Sequence, residues 1–332
     1  MLLAIELIKS TFAKLFFTTK PHSFSHLCNP ISPMLKDPKL FLAIVIVAVV
    51  WGTTFLGIRI AVESIPPWFV AGIRQFIAAI ILGAFLLFTK KLRWIGWKNL
   101  RIQWLLSSLM LIVANGMTTS AEEHISSSLA SLISSTSPII VFILSLFFGL
   151  QKFSIRGLIG IIMGFTGILL IFKDGLQDLL NPEYRMGVIF IFIAILGWGF
   201  GTIFSKKINH TPQNISVNLF YQFSFAGIVQ IIFGFFLSNQ IDIASWSFKS
   251  MFATVYLAIF GSLIGFFAFH FALKKITPTQ ISLLSYANTI IAIFLGWLVL
   301  DEQISAAFIT ATILIICGVF ITNYKPGMFS QK

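Results

Sequence analysis

Long apolar runs separated by short polar gaps dominate the chain from about residue 40 onward. Ten of these runs have the length of about 20 residues that an α-helix needs to cross the hydrocarbon core of a bilayer. They span residues 40–60, 67–88, 102–121, 127–149, 155–173, 186–206, 214–237, 251–273, 278–300 and 305–323. The pattern therefore predicts an all-α polytopic membrane protein with ten transmembrane helices.

The composition agrees with this prediction. Of the 332 residues, 57% are hydrophobic and only 10% are charged, whereas soluble domains carry about 25% charged residues. The two cysteines, Cys28 and Cys317, form neither a disulfide framework nor a zinc-binding spacing. A net charge of +12 also suits a nucleic-acid-binding protein, so the distribution of the basic residues decides what that charge means.

Lysine and arginine are concentrated in alternate gaps between the apolar runs. With the N-terminus in the cytoplasm, eighteen of the 23 basic residues fall in cytoplasmic segments, four fall outside, and Arg74 lies within the membrane. Cytoplasmic loops of membrane proteins carry such an excess. We therefore predict a protein of the plasma membrane (a bacterial inner membrane) with both termini cytoplasmic. The charge then reflects the topology of the chain in the lipid bilayer and argues against a nucleic-acid partner.

The second half of the chain repeats features of the first, at an offset of 147 residues early on and 151 residues later. The matching pairs include Trp51 with Trp198, Arg59 with Lys206, Ser131 with Ser282, Ser134 with Ser285, and Gln151 with Glu302. Each predicted repeat, 39–173 and 183–324, has five helices. Because five is odd, the second repeat must cross the membrane in the opposite sense. Two inverted five-helix repeats are typical of secondary transporters, whose substrate site lies near the midplane between the halves.

Residues 1–38 do not share this pattern. The segment MLLAIELIKSTFAKLFF has apolar and lysine positions at helical spacing, and Pro21 to Pro33 is typical of irregular chain. The stretch is too interrupted for a signal peptide or a spanning helix. Two interpretations stay open: an interfacial amphipathic helix, or an N-terminal extension ahead of a functional start at Met34.

Polar residues recur on one face of the predicted fourth and ninth helices, with spacings of three and four residues. Two tryptophans lie near the middle of the first and sixth helices, although membrane tryptophans usually lie at the interface. The candidate residues of a substrate cavity are Trp51, Asn115, Ser127, Ser131, Ser134, Trp198, Ser282, Ser285, Tyr286 and Asn288. The alternative is that these side chains mediate helix packing, as we expect for the pair Gly261 and Gly265.

Arg74 lies within the second apolar run, seven residues after Pro67. At ~1.5 Å per residue it is about 10 Å below the outer surface. An arginine at that depth needs a carboxylate or several carbonyl groups, and we predict an intramembrane pair with Glu123 at the outer end of the third helix. A structural ion pair or a snorkelling side chain is one interpretation. A direct role in binding anionic substrate groups or in coupling protons is the other.

Motifs of catalysis and metal binding are missing from the sequence. The five histidines show no metal-ligand spacing, and there is no P-loop, H-E-x-x-H or G-x-S-x-G motif. We therefore predict no enzyme activity, metal or cofactor. Any energy source is then a gradient rather than ATP, with the proton as the candidate coupling ion, and uniport stays open. A membrane-embedded enzyme and a passive channel are the alternatives. The first needs converging His, Asp or Glu groups near the midplane, and the second favours symmetric rings from an oligomer.

Three stretches resemble the EamA-type repeat of the drug/metabolite transporter superfamily. They are WGTTFLGIRIAVESIPPWFVAGIRQFIAA, SAEEHISSSLASLISSTSPIIVFILSLFFG and SLLSYANTIIAIFLGWLVLDEQIS. The resemblance covers about residues 39–324. Two departures stand out: Leu150-Gln151 follows the fourth helix where the family usually has Gly-Glu, and Thr289 replaces a usual proline in the ninth helix, so the kink there is in question.

The resemblance implies a ten-helix bundle around a cavity formed mainly by helices one, three, four, six, eight and nine. It implies export of small metabolites, commonly amino acids or toxic compounds, often in exchange for protons. The predicted function is thus a secondary transporter of a small-molecule substrate that works by alternating access. A homodimer is a further partner left open.

Overall fold

A computed structural model describes residues 37–150, 181–208, 214–238, 241–302 and 306–323, together with isolated positions between 153 and 170. Residues 1–36, with the predicted N-terminal extension, lie outside the described residues. Lys39–Asn323 form one compact unit. Every regular element in the described part of the chain is helical, as the hydrophobic pattern predicts.

The helices are named here in chain order, with π-helical segments as π1 and π2. They are α1 (Pro38–Ala61), α2 (Pro67–Phe88), α3 (Trp97–Ser107), π1 (Ser108–Asn115), α4 (Gly116–His124), α5 (Ser127–Ser134), α6 (Ser137–Phe147), α7 (Pro182–Ile208), α8 (Ile215–Leu237), α9 (Phe248–Tyr256), π2 (Leu257–Ile264), α10 (Gly265–Lys275), α11 (Pro278–Ser282), α12 (Leu284–Leu300) and α13 (Ala306–Asn323). A short 3₁₀ turn, Ile243–Ser245, precedes α9.

Eight helical runs within the described residues are long and apolar enough to cross a membrane. They are Pro38–Ala61, Pro67–Phe88, Trp97–His124, Ser127–Phe147, Pro182–Ile208, Ile215–Leu237, Phe248–Lys275 and Pro278–Leu300. The fifth predicted helix, 155–173, falls largely outside the described residues, and α13 occupies the place of the tenth. Ten spanning helices therefore stay a prediction, of which eight have a counterpart in the structure.

The same two kinds of irregularity occur in both halves. The third and eighth runs each contain a π-helical segment of eight residues, π1 and π2. The fourth and ninth runs are each interrupted, between α5 and α6 and between α11 and α12. Pro138 lies just after the first interruption and cannot supply the backbone N–H that a continuous helix requires. The helix α12 runs unbroken through Thr289, and the interruption of the ninth run lies earlier, at Leu283.

Helices α2 and α8 pack with their backbones close together. A Cβ atom on Gly72 would lie 2.7 Å from the backbone nitrogen of Ile231, and one on Gly227 would lie 2.9 Å from that of Phe76. Small residues permit such an approach, and van der Waals packing then replaces the hydrophobic effect as the main attraction between helices in lipid. This contact joins the second helix of one repeat to the second helix of the other.

Candidate substrate cavity

A cavity of about 150 Å³ lies inside the bundle. On that scale a water molecule needs roughly 10–15 Å³, so the space corresponds to about ten waters, the size of a small metabolite. Helices α1, α7, α10 and α12, the run containing π1 and the run containing α5 all contribute to its wall, and α2 adds Arg74. The cavity is therefore enclosed by both halves of the chain.

Eight of the ten predicted cavity residues line this space, and two do not. The lining residues are Trp51, Asn115, Ser131, Ser134, Trp198, Ser282, Ser285 and Asn288. Ser127 is buried at the start of α5 and bonds to Glu302. Tyr286 packs in an apolar cluster with residues of α5 and α7. Ser127 shares the sequence spacing of the polar stripe and Tyr286 lies beside that stripe, but both side chains contact neighbouring helices; substrate contact by the other eight residues stays a prediction.

Three serine hydroxyl groups of the cavity, those of Ser131, Ser282 and Ser285, donate to carbonyl groups three residues earlier in the chain. Ser131 Oγ lies 2.8 Å from the carbonyl oxygen of Ser128, and Ser285 Oγ lies 2.9 Å from that of Ser282. A hydroxyl group that donates its proton to a carbonyl in this way can still accept a hydrogen bond at its oxygen. Thr289 Oγ1 lies 2.8 Å from the carbonyl oxygen of Ser285 in its own helix and 3.0 Å from that of Ser131, so it also links α12 to α5.

Asn288 connects α12 to α1. In the orientation that satisfies its surroundings, its amide nitrogen donates to the carbonyl oxygens of Ala48 and Leu284, both at 2.9 Å. By contrast, the Oδ1 atom of Asn115 is buried and has no hydrogen-bond partner among the described residues. Since a buried acceptor without a partner is costly, Asn115 is the better placed of the two amides to bond with a molecule in the cavity.

One side of the cavity is formed by an aromatic cluster, Trp51, Trp198, Phe266 and Phe269. The Trp51 ring centroid lies 5.1 Å from that of Trp198, and the Trp198 centroid lies 4.9 Å from that of Phe269. Trp51 Nε1 donates to the carbonyl oxygen of Gly261 in π2 at 3.0 Å. The cluster thus joins the first helices of both repeats to the eighth run and gives the cavity an apolar surface.

Arg74 lies in the cavity wall with only 1% of its surface exposed. Its Nε donates to Ser262 Oγ at 3.1 Å, and its Nη2 occupies the space beside Gly261, where a Cβ atom would come within 2.7 Å of it. The Nη1 atom has no hydrogen-bond partner among the described residues. Gly265 is packed in the same way against Trp51. The glycines at 261 and 265 therefore leave room for the side chains of Arg74 and Trp51 rather than for a neighbouring helix backbone.

The predicted pair between Arg74 and Glu123 is not formed. The side chain of Glu123 is exposed, and no ion pair within 4.0 Å joins the two among the described residues. Glu122 is instead fully buried, and neither of its carboxylate oxygens has a hydrogen-bond partner among the described residues. Successive residues of a helix point about 100° apart, so α4 directs Glu122 into the bundle and Glu123 out of it. Spacing alone did not distinguish the two.

Glu302 holds the N-terminus of α5. One carboxylate oxygen accepts from the backbone N–H and the hydroxyl of Ser127, at 2.9 and 2.8 Å, and the other accepts from the backbone N–H of Ser128 at 2.9 Å. A carboxylate at a helix N-terminus is favoured by the unpaired N–H groups and by the helix dipole. This interaction, called the Glu302 cap below, joins the two repeats.

The matching basic residues Arg59 and Lys206 have equivalent roles in the two halves. Arg59 Nη1 donates to the carbonyl oxygens of Glu122 and Glu123, at the C-terminus of α4. Lys206 Nζ lies 2.7 Å from the carbonyl oxygen of Leu273, near the C-terminus of α10. A cation at a helix C-terminus satisfies carbonyl groups that have no intrahelical partner. The sequence repeat that links Arg59 to Lys206 thus has a structural counterpart.

A multi-pass helical bundle in which two similar halves form one central cavity has the architecture of a membrane transporter. The comparisons with known proteins agree. The EamA-like transporter family matches residues 39–173 and 185–324, and the chain belongs to this family.

Two relatives are named as transporters. The chain is 26% identical to the uncharacterized transporter YoaV of Bacillus subtilis over 89% of this chain and 99% of the relative. It is 30% identical to the uncharacterized inner membrane transporter YedA of Escherichia coli over 86% and 94%. A crystal structure with 18% identity matches with a TM-score of 0.63, covering 86% of this chain and 96% of the other, which shows a shared fold.

Proposed function

We propose that this protein is a secondary transporter that exports small metabolites, amino acids or related compounds or drugs, by alternating access around the central cavity. The observation that carries the proposal is the cavity itself, whose wall draws on matching positions of both halves, such as Ser134 with Ser285 and Trp51 with Trp198. A site shared by two repeats can open to either side when one repeat rocks against the other.

The proposed topology assigns the two ends of the bundle to opposite sides of the membrane. With the N-terminus in the cytoplasm, the Glu302 cap and the contact of Arg59 with α4 lie at the outer end. Lys206 and the C-terminus of α10 lie at the inner end. Each end thus has one basic residue that ties the first helix of a repeat to its third. We expect these contacts to hold each repeat together while the halves move.

A proton gradient is the proposed energy source, and Glu122 is the described carboxylate best suited to exchange a proton. It is fully buried, and neither of its side-chain oxygens has a hydrogen-bond partner among the described residues. The charged groups that act on it are Glu302, Arg59 and Arg74, and Glu123 follows it on the same helix. A buried carboxylate without hydrogen bonds changes its protonation state readily when its surroundings change.

The test compares the medium of cells that express the wild type with that of cells expressing two matched variants. Thr118 and Thr310 each donate to the carbonyl oxygen four residues earlier, but Thr118 lines the cavity and Thr310 is exposed on α13. Thr118→Phe should fill the cavity and abolish the change in medium metabolites that the wild type causes. Thr310→Phe should leave that change intact.

The same variants, purified and reconstituted in vesicles, separate the possible mechanisms. The compound that accumulates in the medium should move in exchange for protons, and a protonophore should stop the net flux. If no compound changes with expression and the vesicles transport nothing, the proposal is wrong. Flux that does not saturate and is independent of the gradient would instead indicate a channel.

A further inference from the structure

The connection from α2 to α3 and the first turns of α3 carry a dense cluster of positive charge. Its members, called the basic patch below, are Lys90, Lys91, Arg93, Lys98 and Arg101. No acidic residue occurs between Glu63 and Glu122, so the adjacent sequence does not neutralise this charge. Each of the other three predicted cytoplasmic connections has two basic residues. The excess of cations that cytoplasmic loops usually show therefore does not account for five.

The five side chains of the basic patch are exposed and unpaired. None of them forms a hydrogen bond, an ion pair within 4.0 Å or a cation–π contact with another described residue. Cations at another inner connection are engaged instead. Lys206 Nζ lies 2.7 Å from the carbonyl oxygen of Leu273, and Lys207 Nζ lies 4.7 Å from the centre of the Phe148 ring. The basic patch thus keeps its hydrogen-bond donors for a partner outside the chain.

The basic patch lies at the level of the membrane surface. The apolar spanning run of α2 ends at Phe88, whose side chain is 89% exposed. Trp94 and Trp97 follow, 58% and 64% exposed, with their ring centroids 5.3 Å apart. Tryptophan is enriched at membrane–water interfaces because its ring fits the headgroup region. The cations beside these two rings therefore lie at the depth of the lipid phosphates.

The backbone holds the connection in a defined shape. Helix α2 ends in a Schellman motif, in which Lys91 N–H donates to the carbonyl oxygen of Leu86 at 2.8 Å and Lys90 N–H to that of Leu87 at 3.0 Å. Lys90 has a φ of 53°, at the position where glycine is usual because it adopts the left-handed conformation without strain. A lysine there suits the motif less well than a glycine, so its charge is the property that distinguishes it.

Contacts with α8 fix the middle of the connection. The Tyr221 hydroxyl donates to the carbonyl oxygen of Arg93 at 3.1 Å, and its ring centroid lies 6.3 Å from that of Trp94. The basic patch is therefore presented at a fixed place on the bundle, next to the inner ends of α2, α3 and α8 in the proposed topology.

The corresponding connection of the second repeat, from α8 to α9, has no such patch. Its acidic residue, Asp242, accepts from the backbone N–H of Ala244 at 3.0 Å. Lys249, at the start of α9, is paired with Glu63 at 3.1 Å. The connection includes Trp246, which packs on Phe69. Equivalent helices are thus joined without a cluster of free cations, so the fold does not require the basic patch.

We propose that the basic patch binds the phosphate groups of anionic phospholipids in the cytoplasmic leaflet, with Trp94 and Trp97 beside them at headgroup depth. Juxtamembrane clusters of roughly four to eight lysine and arginine residues attract such lipids. A bound lipid then bridges the inner ends of α2 and α3 and stabilises the bundle. This inference is independent of the transport function and uses the proposed topology only to choose the leaflet.

The experiment measures the thermal unfolding of the purified protein in a non-ionic detergent while phosphatidylglycerol or phosphatidylcholine of the same acyl chains is added. Phosphatidylglycerol should raise the unfolding temperature at a lower lipid concentration than phosphatidylcholine. The difference should shrink as the salt concentration rises, because salt screens charges at the surface. Removing one cation of the patch should weaken the apparent affinity for phosphatidylglycerol about fivefold.

Lys90→Gly separates lipid binding from folding. Glycine suits the left-handed conformation at this position, so the lipid-free unfolding temperature should stay the same or rise, while the affinity for phosphatidylglycerol falls. The double variant Lys91→Gln/Lys98→Gln should lower that affinity about 25-fold. The matched control, Arg185→Gln/Lys249→Gln, removes two exposed cations from the other end of the bundle. It should keep the wild-type response.

Brominated lipids locate the site, because bromine quenches the fluorescence of nearby tryptophans. In vesicles, brominated phosphatidylglycerol diluted into phosphatidylcholine should quench more strongly than brominated phosphatidylcholine at the same dilution. The variant Trp94→Phe/Trp97→Phe should lose this difference between the two lipids. Trp246→Phe, in the corresponding connection of the second repeat, should retain it.

Four results would overturn the inference. They are equal stabilisation by the two lipids, unchanged affinity of Lys90→Gly and of Lys91→Gln/Lys98→Gln, an equal loss in the Arg185→Gln/Lys249→Gln control, and quenching that does not depend on Trp94 and Trp97. Stabilisation by inorganic phosphate as strong as that by phosphatidylglycerol would indicate a site for a soluble anion and would also refute binding of lipid.

Discussion

Replacing Glu302 by glutamine tests whether the Glu302 cap joins the two repeats. The carboxylate accepts three hydrogen bonds, from the N–H groups of Ser127 and Ser128 and from the Ser127 hydroxyl, at 2.8–2.9 Å. The glutamine oxygen can still serve Ser127, but its NH₂ group faces the N–H of Ser128 and offers no acceptor. One charge-assisted bond, worth about 1.5–3 kcal/mol, is lost, and so is about 0.3–1 kcal/mol of interaction with the helix dipole.

The expected result is a decrease of about 2–4 kcal/mol in the free energy of unfolding, as the sum of these two effects. It is measured from the equilibrium between folded and unfolded protein in mixtures of mild detergent and dodecyl sulfate. Asp301→Asn is the matched control, because Asp301 is exposed and its left-handed backbone conformation, φ 53°, is one that asparagine tolerates. It should cost less than about 0.5 kcal/mol.

A double-mutant cycle makes the test specific. Ser127→Ala removes one of the three bonds, so its cost should be smaller in the Glu302→Gln background than in the wild type. If Glu302→Gln and Asp301→Asn destabilise the protein equally, or if the cycle shows no coupling, the cap does not stabilise the contact between the repeats and the reasoning is refuted.

Three further predictions follow from the buried charges and the helix ends. Glu122→Gln should make transport in vesicles independent of the pH gradient, while Glu123→Gln, on the exposed side of the same helix, should behave as wild type; equal behaviour of the two variants would contradict this. Gly261→Ala should abolish transport but keep the helical circular-dichroism spectrum, because its Cβ would lie 2.7 Å from a guanidinium nitrogen, and retained transport would show that the cation can move aside. Arg59→Gln and Lys206→Gln should each lower the free energy of unfolding by about 1 kcal/mol, since each removes a cation from a helix C-terminus; a denaturation midpoint unchanged in either variant would refute that equivalence.

The pattern of apolar and polar residues along the sequence predicts most of the fold. Apolar runs near 20 residues predict spanning helices because every backbone polar group must be satisfied within lipid, and eight of the predicted ten have counterparts in the structure. The pairing of Arg59 with Lys206 identified the repeat, and these residues make equivalent contacts. The polar stripe led to the cavity, although Ser127 and Tyr286 proved to face other helices.

The sequence did not predict which side chains face the cavity and which face lipid or a neighbouring helix. Phe266 and Phe269 are two of 37 phenylalanines, and nothing in an all-apolar run distinguishes a cavity residue from one that faces lipid. Glu122 and Glu123 are neighbours in sequence, and only the rotation of α4 decides that Glu122 is buried. Helix orientation is set by packing against other helices rather than by local preference.

The class of the protein, the apolar segments and their repetition follow from the sequence alone, because the bilayer imposes length and hydrophobicity on each segment separately. The contacts of individual side chains depend on the packed bundle. It separated Arg74 from Glu123, placed its guanidinium beside Ser262 and Gly261 in the cavity, and brought Glu302 to the start of α5. Such contacts join residues more than 170 positions apart, and they arise only when whole helices pack together.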